Sequence, residues 1–237
     1  MMKHKARKLR SHAALDETSR ILKAKRILSA LDIENNKKRM DLLDIGTGSG
    51  HIPSELGKKH NVKSVDVNDE RVELRNYDFY QVESAKLPFP DSTFDVVVSN
   101  QVIEHIPEQK LHIAEIYRVL KVGGVAYIAT PNRLWFQDPH TRLVGVTWVP
   151  RRMAHFYSRI AKRGDWDVFP VTTYRLKRHF KLHDIIIRKN TFDLIDSIHA
   201  DSSVSRKYKF AKKAVPTSVL KRLVSFYPSI IFVVEKK

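Results

Sequence analysis

The segment DLLDIGTGSG, residues 41–50, constrains the fold of this chain more than any other. Three alternate glycines, Gly46, Gly48 and Gly50, follow a short apolar run and open a helical pattern. Without Cβ atoms the backbone can turn tightly and let a ligand approach its N–H groups. Asp66 ends the next apolar run, 20 residues after Gly46. In nucleotide-binding α/β folds a carboxylate there accepts hydrogen bonds from the ribose hydroxyls. Glycine loop, helix and acid-ended second strand together point to a nucleoside-cofactor site. A dinucleotide fingerprint would place its third glycine at position 51, where this chain has His51, and no Lys-Ser/Thr follows to make a P-loop. Asp44, just before the loop, would repel a pyrophosphate but could hold an ammonium group. The cofactor expected is one that carries an amino acid and no phosphate.

The middle of the chain alternates short apolar runs with helical patterns, as in a parallel sheet wrapped by helices. Strands are predicted at 41–45, 62–67, 77–82, 94–99 and 125–130, with near-continuous apolar cores suited to burial on both faces. Helices are predicted at 50–59, 69–76 and 108–120. The last would turn Leu111, Ile113, Ala114, Ile116, Tyr117 and Leu120 inward and stop at the Lys121-Val-Gly-Gly124 segment. Upstream, Leu15, Ile21, Leu22, Ala24, Leu28 and Leu31 recur at helical spacing over 12–31. Downstream, 133–172 reads as irregular and holds Trp135, Trp148 and Trp166, all the tryptophans of the chain. A helix at 173–180, a strand at 184–188, a polar and basic excursion at 199–213, a helix at 216–226 and a strand at 229–235 complete the pattern. The expected organisation is a basic N-terminal extension (1–39) and one α/β domain (40–237). Within that domain, 133–175 is expected to cover the substrate, and 191–213 is a basic excursion.

Of the 237 residues, 42% are apolar and 29% charged, and none is cysteine. Disulfide frameworks, thiolate zinc sites, iron–sulfur clusters and cysteine nucleophiles are therefore excluded. No apolar run nears the roughly 20 residues of a membrane helix, and the basic start leads into no apolar signal core, so the expected location is the cytoplasm, with contact at a membrane surface an option. The net charge of +17 is unevenly spread. Residues 1–40 hold 12 Lys and Arg against 4 Asp and Glu, 41–132 hold 9 against 14, and 133–237 hold 22 against 8. Basic flanks attract phosphate on nucleic acid, lipid headgroups or an anionic substrate, or are simply a solvated surface.

Several segments together carry a family resemblance. DLLDIGTGSG, SVDVND, ESAKLPFPDSTFDVVVSNQVIEHI and RVLKVGGVAYIATPN resemble the successive motifs of class I S-adenosylmethionine (SAM)-dependent methyltransferases. The likeness spans residues 40–132 and is greatest to the type 11 branch that includes ubiquinone and menaquinone methyltransferases. It implies a Rossmann-like α/β fold, with helices on both faces of a mostly parallel seven-stranded sheet. The implied strand order is 3-2-1-4-5-7-6, with strand 7 antiparallel. SAM is the implied cofactor. Asp44 and Gly46, Thr47, Gly48, Ser49 and Gly50 would surround the methionine moiety. Asp66, followed by Val67, would hold the ribose. Glu83 would meet the adenine amino group where family members usually have Asp, with Ser84 and Ala85 lining the ring. Asn100 and Gln101 would face the methionine end.

A sulfonium is already an activated methyl donor, so the protein must mainly align a nucleophile and exclude water. A hydroxyl acceptor also needs a base. His105, after the fourth strand, is one candidate, and His140, in Asp138-Pro-His-Thr141, is another; either could instead serve structure. Glu104 could orient His105 or cap the following helix. Small-RNA and some quinone O-methyltransferases bind a divalent ion through a similar Glu-x-x-Glu-His stretch. Here Gln101 occupies the first position and is a poor ligand for a hard cation, so no metal is expected. Trp135, Phe136, Trp148, Phe156, Tyr157, Trp166, Phe169 and Tyr174 would form an acceptor lid or a satellite core, interleaved with arginines. The function expected is methyl transfer to oxygen of a small, glycan or lipid-linked acceptor. The alternatives are RNA methylation using the basic flanks and a catalytically silent SAM-binding scaffold.

Overall fold

The structure, a computed structural model, describes residues 17–198, 216, 218, 219, 222 and 225–237. Seven strands form one sheet: β1 (Asp41–Ile45), β2 (Asn61–Asp66), β3 (Asp78–Gln81), β4 (Phe94–Asn100), β5 (Leu120–Pro131), β6 (Ile185–Asn190) and β7 (Ser229–Lys236). Their order is β3-β2-β1-β4-β5-β7-β6. The first five strands are parallel, and β7 runs antiparallel to both β5 and β6. This is the order and direction that the resemblance implies.

Alternation along the central strands sends neighbouring side chains to opposite faces and builds two cores. Leu43 and Val97 pack on one face against Ile113, Ile116 and Val119 of α3 (Gln109–Val119) and Leu176 and Phe180 of α5 (Thr173–Lys181). Leu42, Val96 and Val98 face the other side. There they meet Ala24, Ile27 and Leu28 of α1 (Glu17–Ala30), Ile52 and Leu56 of α2 (His51–Gly57) and Leu194 of α6 (Thr191–Ile198). A third, small cluster gathers Val146, Ala154 of α4 (Arg151–Ile160), Trp166 and Val168.

Several local expectations need correction. Residues 69–76 are not helical. Val72 and Leu74 are exposed, so the segment has no apolar stripe to bury, and Asp69–Arg71 and Glu73–Arg75 pair two residues apart, a spacing that disfavours a helix. The buried face of α3 includes Gln109, His112 and Glu115, and Leu111 points outward. Polar groups enter because they have partners there: His112 Nε2 lies 2.9 Å from Ser99 Oγ, and Glu115 accepts the Leu87 N–H at 2.7 Å. Part of the segment read as irregular forms α4, and 191–198, read as the start of the basic excursion, forms α6 against the sheet. Residues 199–213, Leu15 and most of the helix expected at 216–226 lie outside the described residues.

Phe232 of β7 is 1% exposed and meets Phe180 edge-on, with ring centroids 5.3 Å apart. Phe232→Ala is expected to cost about 3–5 kcal/mol in urea unfolding. A loss below about 1 kcal/mol would contradict the described packing of β7 on α5.

Candidate active site

The parallel strands β1, β2 and β4 end at one edge of the sheet, and the loops that leave them form the site. Gly46 and Gly48 adopt φ of 86° and 51°, the left-handed region. A Cβ on Gly46 would run into the Val102 side chain, whereas one on Gly48 would meet nothing within 4 Å. The Gly48 face thus opens onto the crevice. Asp66 fastens this loop: Oδ2 accepts the Gly48 N–H at 2.9 Å, and Oδ1 accepts that of Val67 at 2.7 Å. Behind it, Ser64 Oγ donates to Asp44 Oδ2 at 2.8 Å and lies 2.7 Å from Thr47 Oγ1. The Ser49 carbonyl accepts the Val72 and Glu73 N–H groups, and Gly50 leads into α2.

Asp44 is 2% exposed. Burial pushes its carboxyl up to about 7 against the Ser64 hydrogen bond, with Asp66 raising it further and Arg20 of α1 lowering it. The remaining cofactor candidates lie around the same edge. Val82 N–H donates to the Asp66 carbonyl at 2.9 Å, which sets the following Glu83 and Ser84, both exposed, and half-buried Ala85 beside the end of β2. Val67 is exposed. At the end of β4, Asn100 Oδ1 is buried with no hydrogen-bond partner, and Gln101 takes φ of 61° while its N–H donates to Ala129. An orphaned acceptor and a strained backbone at this edge suit a ligand-facing position. These features fit a SAM-type ligand: an open glycine face, a buried carboxylate for an ammonium, a second carboxylate for the ribose, and an unsatisfied amide oxygen.

A 3-10 turn, Ile103–His105, follows β4. Glu104 on this turn is fully buried and does not cap α3. Its Oε2 accepts from Thr130 Oγ1 of β5 at 2.9 Å, Oε1 has no hydrogen-bond partner, and His140 Nε2 stands 4.0 Å away. Burial pushes Glu104 up to about 7, and nearby Asp138 adds to the rise. His140 is placed by buried Asp138, which accepts the Thr141 N–H at 2.6 Å and its hydroxyl at 2.9 Å. The His105 and His140 rings meet edge to face with centroids 5.0 Å apart.

The two histidines, separate candidates in the sequence, therefore form one cluster with Glu104. One ligand atom from each lies within 4.8 Å of the others. A carboxylate and two imidazoles can pass or hold a proton, and the same donor set is suited to a divalent transition metal. The sequence expectation of no metal rested on Gln101 and did not foresee His140 beside Glu104. Sequence reasoning also missed Arg20, Ser64, Thr130 and the anchoring role of Asp138. The Cα pairing of Asp44 with Ser64 across β1 and β2 is a matter of register that the sequence does not reveal. Of the expected aromatic lid, Trp166 is buried, while Trp148, Phe156, Tyr157 and Tyr174 are exposed.

A cationic ligand favours the charged form of Asp44, so SAM affinity should fall as the pH drops through about 7, by up to about tenfold per unit. The same group makes the folded ligand-free protein hold a proton that the unfolded chain releases above its ordinary value of 3.8. Stability should therefore decline as pH rises from about 4 to 7. Asp44→Asn should flatten both profiles and weaken SAM binding at pH 8, measured by calorimetry and urea unfolding. An unchanged pH dependence would contradict the assignment.

Residues 43–128 match the type 11 family described as a methyltransferase domain. Over 107 residues the chain is 35% identical to a probable S-adenosylmethionine-dependent methyltransferase of Mycolicibacterium smegmatis, and the match spans 40% of each chain. It is 25% identical over 187 residues to a ubiquinone biosynthesis O-methyltransferase of Rickettsia canadensis, covering 70% of this chain and 75% of that one. A SAM-dependent methyltransferase from Mesorhizobium loti shares the fold, with a TM-score of 0.62, 12% identity, and coverage of 91% of this chain and 100% of that one. The loop, the two strand-end acids and these likenesses agree: residues 43–128 match a methyltransferase domain of the type 11 family and are similar to S-adenosylmethionine-dependent methyltransferases, and the chain spans less than half the length of those first curated relatives.

Proposed function

We propose that the chain is a SAM-dependent methyltransferase that acts on oxygen of a small, glycan or lipid-linked acceptor. The observation that carries this reading is the placement of Glu104, His105 and His140 together, on the loops that leave the same sheet edge as the glycine loop and Asp66. When bound, SAM supplies a methyl group on a sulfonium. Asp44 and the glycine loop hold its amino-acid end, Asp66 its ribose, and Glu83, Ser84 and Ala85 its adenine, while Asn100 and Gln101 border the methionine end.

The acceptor hydroxyl gives its proton to a ring nitrogen of His105. His140 orients that ring edge to face, and the Glu104 carboxylate offsets its positive charge after proton transfer. Similarity to a relative named for O-methylation in ubiquinone biosynthesis supports oxygen as the acceptor atom. The outer side of α4 supports contact with an anionic membrane. Met153, Phe156, Tyr157 and Ile160 are exposed there beside Arg151, Arg152 and Arg159, an apolar strip with a basic rim that suits a bilayer interface. No helix among the described residues is long and apolar enough to cross a membrane.

Calorimetry should show one SAM or S-adenosylhomocysteine site per chain, weakened about a hundredfold by Asp66→Ala through loss of charged hydrogen bonds to the ligand and of the clasp on Gly48. Equal affinity in the variant would refute the ribose assignment. With a catechol as probe acceptor, His105→Ala should lower kcat by about 10²–10⁴-fold with SAM affinity retained. Unchanged turnover would remove His105 from the base role.

A further inference from the structure

A cavity of about 160 Å³ opens behind the Glu104 turn. Gln109 ties it to the site: its side-chain N–H groups donate to the Phe169 carbonyl at 2.7 Å and the Ile103 carbonyl at 3.3 Å. Phe169 N–H in turn donates to the Glu104 carbonyl at 2.6 Å. Three arginines from separate parts of the chain line this small space: Arg133 just after β5, Arg151 at the start of α4 and Arg175 in α5. No acidic residue among the described residues lines it. Among the described residues none of the three is ion-paired to a carboxylate. Arg118, elsewhere in the domain, shows the contrasting case, since Glu115 and Asp91 neutralise it.

Two of the three guanidinium groups are also held in place, and Arg175 reaches the cavity from an exposed position on α5. Arg133 is half-buried, and its Nε donates to the Thr147 carbonyl at 3.2 Å, which leaves its outer N–H groups for a ligand. Arg151 lies over the Phe169 ring at 4.0 Å. Like charges gathered at one cavity repel, and an anion between them reverses the sign of that energy. Planar guanidinium forks match the oxygens of carboxylate and phosphate alike. A carboxylate would neutralise one charge of the three, a phosphomonoester about 1.5 to 2 of them, and a terminal diphosphate nearly the whole set. Pockets that enclose a whole small molecule run to about 300–1,000 Å³, so this one suits a single charged group with the rest of the ligand outside.

We infer that the Arg133–Arg151–Arg175 cavity binds a phosphoryl group of the methyl acceptor, which is accordingly a phosphomonoester or diphosphate, either free or attached to a lipid. The word acceptor rests on the methyl-transfer reading above; the anion site itself does not. The test titrates the full chain with inorganic pyrophosphate, and separately with phosphatidylcholine vesicles containing phosphatidic acid, while SAM is titrated in parallel. Arg151→Gln and Arg175→Gln, both at exposed positions, should bind pyrophosphate at least about tenfold more weakly than the parent. They should keep the parent's SAM affinity and urea midpoint. Loss of vesicle binding together with pyrophosphate binding in Arg175→Gln, which lies off the α4 rim, would assign the group to a lipid headgroup, and loss of pyrophosphate alone to a soluble acceptor; either supports the cavity. Pyrophosphate binding by a parent that takes no SAM supports the anion site while refuting the cofactor assignment. No saturable pyrophosphate binding by the parent, or equal binding by parent and variants, overturns the inference.

Discussion

The parallel pairing of β1 with β2 on one side and β4 on the other is the constraint on which the site depends. It brings three strand ends to one edge, so that every loop leaving them meets the same crevice. Asp66 then joins two of those loops by accepting the Gly48 and Val67 N–H groups, and the Val102 side chain fills the space beside Gly46 from the third. The glycine loop is therefore held from both sides before any ligand arrives. A preformed loop loses less conformational entropy on binding than one that must fold around its ligand.

The same edge carries two acids, Asp44 and Glu104, that burial drives toward neutrality near pH 7. Each costs stability in the ligand-free protein, since a carboxyl kept from water is easier to bury protonated. Such costs concentrate where a ligand or a reaction uses them. Asp44 sits where a positive ligand would restore its charge, and Glu104 stands next to a histidine whose protonation would do the same. Buried His112 is different: burial lowers it to about 4, and with Ser99 beside it the neutral ring serves packing.

The region after β5 adds a second layer of chemistry to a common scaffold. Asn132 and Arg133 continue β5 into a loop that Thr147 fastens by donating to the Arg133 carbonyl at 3.0 Å. Trp166 and Val168 anchor the returning chain. The loop thereby delivers His140 to Glu104 on one side and the arginine cavity on the other. Charge that looks diffuse along the sequence is focused by this folding into one small basic site beside the proposed reaction centre.

Much of this was legible in the sequence. The continuous apolar runs of β1, β4 and β5 marked a parallel sheet, because strands buried on both faces need no polar alternation. The glycine loop, Asp44 and Asp66 marked the candidate cofactor site, because tight turns and charged ligands demand those residue types at short, fixed separations. The motif resemblance supplied the strand order. What tertiary structure alone decided involves residues far apart in the chain. His140 lies 36 positions from Glu104, Arg20 reaches Asp44 from a helix that precedes the sheet, and Arg133, Arg151 and Arg175 come from three separate segments. Local pattern encodes what a segment can form by itself. Which distant side chains become neighbours depends on how the two cores fill, and no single segment carries that information.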